Sequence, residues 1–176
     1  MPVTYFFLFI LAVILVWIIR AKNAAQAEAG FLDLPREIRP IARRFGVRRS
    51  ADASPVDSIK DPAVPVAALA TAFLDVDGTP SDRSLNAALN SLQTELKLIK
   101  PDAEDLIMLG RWLVQECGGP GPAATRLAAR LYDLDDSNSL GPLMRILKEI
   151  SMAGPEGMTQ TQSGLLDDIK TAFRIS

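Results

Sequence analysis

The sequence predicts an all-α protein: a single transmembrane helix at the N-terminus, then a multi-helix bundle with two related halves. Three observations lead there. Residues Val3 to Ile19 form a run of 17 without a charge. From Asp61 onward, helix caps and apolar residues at helical spacing follow one another to the end of the chain. From Asp75 to the end there are only two Val, Val76 and Val114, and no alternating β-branched run that would make a strand.

The apolar run comes first. At ~1.5 Å per residue, 17 helical residues span about 26 Å, near the lower limit for the hydrocarbon layer. Tyr5 and Trp17 lie towards its two ends, where amphipathic rings favour the membrane interface. No basic residue precedes it, unlike the n-region of a secretory signal peptide, although Ala27-Glu28-Ala29 has the small residues of a cleavage site. The segment 20–29 is rich in helix formers and is expected to prolong the helix to Gly30. Residues 1–29 are therefore assigned to an anchor and its extension.

Residues 30–60 read as a basic juxtamembrane segment and linker. Residues 20–60 carry net charge +4, against −6 for residues 61–176. By the positive-inside rule the body is cytoplasmic and the N-terminus outside, as for a single-pass protein of a bacterial inner membrane. Ile38, Ile41, Ala42 and Phe45 make one apolar helical face, kept short by Pro35 and Pro40. Arg36, Arg39, Arg43, Arg44, Arg48 and Arg49 occupy the rest. They read either as a stirrup on anionic lipid or as a flank that only sets topology. The lipid bilayer is the first expected partner. Nucleic acid is not expected, because the basic stretch lies between a membrane and an acidic body.

The helices of residues 61–176 follow in order. Asp61-Pro62 caps the first, whose face carries Val66, Ala70 and Phe73 before Gly78. Thr79-Pro80-Ser81-Asp82 restarts the chain, with a stripe of Leu85, Leu89, Leu92 and Leu96. Pro101-Asp102 opens a helix with Leu106, Leu109 and Leu113 inward, ending at Gly118-Gly119. Pro122 opens the next, to about Leu134. Leu140 to Met152 presents Leu143, Leu147 and Ile150. Thr159 with Gln162 forms a capping box for the last helix, which buries Leu166, Ile169 and Phe173. A weak internal repeat relates Asp77-Gly78-Thr79 to Glu156-Gly157-Met158-Thr159, as expected of two packed helical hairpins.

Chemistry is narrowly bounded. The chain has no His and one Cys, Cys117. Catalytic triads, His-ligated zinc and an intramolecular disulfide are excluded. Cys117, at a helix C-terminus, is a poor thiolate, and Trp112 one turn earlier is expected in the core. The candidate chemistry is acidic. Asp75-Val76-Asp77-Gly78-Thr79 resembles the first signature of haloacid-dehalogenase-type phosphatases, which implies Asp75 as nucleophile and Asp77 as acid/base with Mg²⁺. That chemistry needs a preceding parallel strand, whereas Val66 to Leu74 is helix-periodic. Asp75 and Asp77, with Thr79 and Ser81, also suit a divalent cation in principle. The loop is not an EF-hand, nor is Asp133 to Asn138.

Residues 61–176 resemble the TerB-like (tellurite-resistance B) domain family. The resemblance lies in Val66 to Leu74 running into Asp77-Gly78, then a leucine-striped helix ending at Leu96-Lys97-Leu98, and the closing Ala172-Phe173-Arg174-Ile175. It implies an all-helical domain of two related halves, acidic turns proposed to hold a cation, and no established reaction. Two features depart from the family: Ser84 stands where its Glu is usual, and the second turn has Ala153-Gly154 or Glu156-Gly157 for Asp-Gly. The anchor resembles that of membrane-anchored DnaJ-like proteins, but without His there is no His-Pro-Asp motif. The expected function is a non-catalytic membrane adaptor or accessory subunit with a protein partner, linked to envelope stress and carrying no cofactor. The alternatives are the phosphatase and a divalent-cation sensor.

Overall fold

The computed structural model describes residues 34–49 and 54–173. The expected anchor, 1–29, lies outside the described residues. Among the described residues there are seven α-helices, one 3-10 turn and no strand. The helices are α1 (Ile38–Arg44), α2 (Ala63–Asp75), α3 (Asp82–Leu96), α4 (Lys100–Glu116), α5 (Pro120–Asp135), α6 (Leu140–Ala153) and α7 (Gln160–Ala172); the 3-10 turn is Pro55–Ser58. None of these helices is long and apolar enough to cross a membrane.

Helix α2 is the centre. Every residue from Val64 to Leu74 is buried, where one apolar face was expected. The reason is in its sequence: Ala63–Leu74 contains no charge, and a helix apolar on all sides belongs in an interior. It touches α3, α4, α5, α6 and α7. It is approached tightly by α4 at Gly110, where an added Cβ would stand 3.0 Å from the Ala68 Cα and 2.7 Å from the Thr71 Oγ1. Around this axis α3 pairs with α6, and α5 with α7. Tyr132 of α5 meets Phe173 edge-on, ring centroids 5.9 Å apart.

The caps explain where helices begin. The Asp61 carboxylate accepts from the Ala63 N–H at 2.9 Å, as its position before Pro62 predicts. For α3 the cap is Ser81 rather than Thr79: Ser81 is extended, and its hydroxyl accepts from the Ser84 N–H. The helix accordingly starts at Asp82, two residues after Pro80. The capping box of α7 is present, with Thr159 and Gln162 exchanging bonds of 3.1 and 3.2 Å. Helix α5 opens at Pro120, one residue after Gly119 at φ +116 and two before the expected Pro122. The α3 leucines are less covered than expected: Leu92 is buried, while Leu85, Leu89 and Leu96 are half-buried.

The core does not begin at Asp61. Leu34, Ile38, Ile41, Ala42, Val47, Val56 and Ile59 are all buried in the same cluster as α2. Helix α1 lies on α4, and the 3-10 turn packs on α4 and α5. Arg130 of α5 donates from its guanidinium to the Ile59 carbonyl, Nε–O 3.0 Å. Residues 34–49 and 54–60, read from the sequence as a juxtamembrane segment and linker, are thus part of the helical body. The physical reason is that branched side chains spaced through a basic segment still gain about 1.5–3 kcal/mol each on full burial. Exposed arginine pairs give at most about 1 kcal/mol, so the apolar contacts dominate.

Candidate functional site

Asp75 is the last residue of α2, so the motif follows a helix and not a strand. The chain turns through Gly78 at φ +106, whose N–H donates to the Asp75 carbonyl at 3.0 Å. The Asp75 carboxylate is gripped by Arg111 of α4, Nε to Oδ2 at 2.8 Å and Nη2 to Oδ1 at 3.3 Å. This two-point bond pushes the Arg111 pKa up, against the desolvation that opposes it. Asp77 takes a different partner: its Oδ2 accepts from the Thr159 hydroxyl at 2.7 Å. That hydroxyl also accepts from the Gln162 N–H, using both its donor and an acceptor. Gln162 in turn donates from Nε2 to the Phe73 carbonyl at 3.4 Å.

The two turns that the sequence relates to one another are therefore joined side by side. Between them lies a partly open cavity of about 280 Å³ whose walls include Asp77, Thr79, Ser81, Ser84, Glu156 and Thr159. Asp77 lines it; the Asp75 carboxylate faces Arg111 instead. Ser84 is buried in the wall, and its hydroxyl shares a 2.9 Å hydrogen bond with Ser81. Among the described residues no three His, Cys, Asp or Glu side chains converge on one point. In the second acidic loop, Asp135 accepts from the Ser139 hydroxyl, and Asn138 Nδ2 donates to the Asp135 carbonyl at 2.8 Å. That loop closes on itself, with Asp136 at φ +56.

The basic segment divides. Arg44 reaches Asp102 at 2.6 Å and Asp105 at 3.4 Å, both near the start of α4. Arg49 reaches Glu116, the last residue of α4, at 3.4 Å. The segment therefore runs along α4 as a strap. Arg39 Nη2 donates to the Leu34 carbonyl at 3.3 Å. Arg36, Arg43, Arg44 and Arg48 are exposed, and Arg43 and Arg48 also have polar or electrostatic contacts of their own. Cys117 is buried at the end of α4, and burial pushes its thiol pKa up, with Arg126 opposing. Trp112 is buried, as expected.

Sequence reasoning missed the basic partners. Arg111 lies 36 residues from Asp75 and Arg130 lies 71 from Ile59, and no local pattern signals either pair. It also missed an open groove of about 920 Å³ between α3 and α6, lined by Asn86, Asn90, Thr94, Glu149 and Met152 among others. The polar spacing of Asn86, Asn90 and Thr94 was the available signal. No model of a protein family matches this chain, no characterised protein sequence matches it, and no solved structure matches it.

Proposed function

We propose that this chain is a non-catalytic, membrane-anchored adaptor or accessory subunit on the cytoplasmic side of a bacterial inner membrane, linked to envelope stress. One observation carries the non-catalytic part. The carboxylates of the candidate motif are engaged in holding helices together, Asp75 with Arg111 and Asp77 with Thr159. A nucleophilic carboxylate needs a free face towards its substrate, and a two-point bond to guanidinium occupies it. The all-helical body and the likeness to TerB-like domains support the same reading. The apolar run of residues 3–19 supports the anchor. Affinity purification from membranes, beside a chain lacking residues 1–29, tests it. A partner recovered only with the anchored chain is the expected result. Mg²⁺-dependent phosphatase turnover lost in Asp75→Asn would replace it with the enzyme reading.

A second reading, a divalent-cation sensor, is favoured by the cavity between the turns, where Asp77 and Glu156 share walls with hydroxyls. Titration with Ca²⁺ or Mg²⁺ followed by melting temperature decides it. A rise in melting temperature that Asp77→Asn abolishes supports a sensor; no shift at millimolar ion removes it.

A further inference from the structure

The groove between α3 and α6 is self-complementary along its length. Four of the α3 residues that line it, Arg83, Ala87, Ser91 and Glu95, stand four apart and form one inclined row on the helix. Small side chains hold the middle of the row and opposite charges hold its ends. Turned end for end about the level of Leu89, the row brings Arg83 onto Glu95 and Ala87 onto Ser91. Beside it runs a second row of the same spacing, Asn86, Asn90 and Thr94, which also lines the groove. The ends are open to a partner. Arg83 is exposed. Glu95 is held by Arg145 through one oxygen: Nε at 2.8 Å and Nη2 at 2.6 Å both meet Oε2, which leaves Oε1 for a second guanidinium. The middle can be covered without stranding a polar group, because the Ser91 hydroxyl already donates to the Ala87 and Ala88 carbonyls, at 2.8 and 3.1 Å. On the α6 side Met152 is 60% exposed, apolar surface that covering the groove would take out of water.

We infer that this groove is a self-association surface, which takes α3 of a second copy of the chain, antiparallel, about a two-fold axis at the level of Leu89. In such a contact every residue pair occurs twice. Packing the four-apart rows of the two helices against each other sets a crossing of about −50° and keeps the rows parallel where they meet. The backbones approach over Ala87 and Ser91. Arg83 of each copy reaches Glu95 of the other, which extends the Arg145–Glu95 pair into a chain of three charges at both ends. The Asn86 and Asn90 carboxamides can each donate and accept across the axis. The order of the charges selects this arrangement: a parallel pairing would set Arg83 against Arg83 and Glu95 against Glu95. Self-association of this kind needs neither the anchor nor another protein, so it stands apart from the adaptor reading.

The test is sedimentation equilibrium of the full chain in density-matched detergent, for the unaltered chain, R83E, E95R/R145E and R83E/E95R/R145E. E95R/R145E reverses the pair inside each copy and so keeps it, but leaves Arg83 facing a like charge across the axis. The triple variant restores opposite charges at every contact. The expected result is a dimer of the unaltered chain, weakened in R83E and in E95R/R145E and recovered in the triple variant. The loss should be roughly tenfold or more, since two exposed pairs are each worth up to about fivefold and repulsion replaces them. A monomeric unaltered chain overturns the inference. So does equal dimerisation of all four chains, which puts the contact outside the groove, or a loss that the triple variant does not recover. Circular dichroism of each variant shows that the body is still folded. A second measurement is independent of charge. With Cys117→Ser, Asn90→Cys beside the axis should form a disulfide between copies on mild oxidation, and Met108→Cys on the exposed side of α4 should not. Equal cross-linking of the two, or none at Asn90→Cys, overturns the inference as well.

Discussion

Gly110→Ala probes the crossing at the centre of the fold. An alanine Cβ there would lie 3.0 Å from the Ala68 Cα, 2.7 Å from the Thr71 Oγ1 and 3.2 Å from the Thr71 Cβ. The Thr71 hydroxyl is itself held by the Ala67 carbonyl at 2.7 Å, and Ala68 is backbone of a helix buried on all sides, so neither neighbour can step aside cheaply. Alanine gains roughly 1 kcal/mol over glycine in helix propensity. Overpacking a close-packed core costs about 1–3 kcal/mol, and forcing helix backbones apart belongs at the upper end. The expected net is a loss of about 1–2 kcal/mol, a fall of roughly 3–8 °C in melting temperature. Gly164→Ala in α7 is the control, since a Cβ there meets nothing within 4 Å; it should stabilise by about 0.5–1 kcal/mol. Thermal and urea melts of both variants, with Thr71→Ala and the double variant, complete the set. Thr71→Ala removes the nearest atom but leaves the Ala68 contact, so it should rescue Gly110→Ala only in part. A Gly110→Ala protein as stable as Gly164→Ala would refute the packing of α2 against α4.

Other perturbations test the joints around the acidic turn. Asp75→Asn and Arg111→Ala should each lower stability by only about 0.2–1 kcal/mol, because both side chains are partly exposed and water screens the pair; a double-mutant cycle in urea measures the coupling. Thr159→Ala removes the cap of α7 and the bond to Asp77 together, and should cost about 1–2 kcal/mol. Thr159→Ser keeps both hydroxyl bonds and should recover most of this, read by melting and by amide exchange at the start of α7. Cys117 should react with iodoacetamide far more slowly in the native protein than in urea, since burial raises its pKa. The sign for stability follows. The neutral thiol is favoured in the folded state, so its contribution is complete below the unfolded thiol pKa and declines as pH rises through the higher folded value.

The helices were legible because their signals are local. Pro, Gly and hydroxyl caps punctuate the chain, and the capping box Thr159–Gln162 stands where its two residues place it. Ser81 displaced Thr79 as a cap because the helix begins two residues later, at Asp82, and two hydroxyls flanking Pro80 leave spacing alone unable to decide between them. Helix α2 read as amphipathic because its alanines count as neutral, and only the surrounding helices show that they are all interior. The strap was half legible. Ile38, Ile41 and Ala42 were seen as an apolar face, but the surface they cover, α4, lies more than 55 residues away. At the turns, the repeat related the segment of Asp77 to the segment of Thr159, and the structure bonds these two residues across 82 positions. Arg111 could not be foreseen as the partner of Asp75, since a charge on a helix surface carries no sign of which distant residue it meets.

The proposed anchored adaptor acts by binding a protein partner at the membrane. Its most direct test is quantitative affinity purification of the full chain from solubilised membranes, beside the chain lacking residues 1–29. The account predicts a defined protein partner recovered in near-equal amount with the full chain, and lost when the first 29 residues are removed. Recovery of the chain alone from membranes, or equal recovery of the partner without the anchor, would contradict it.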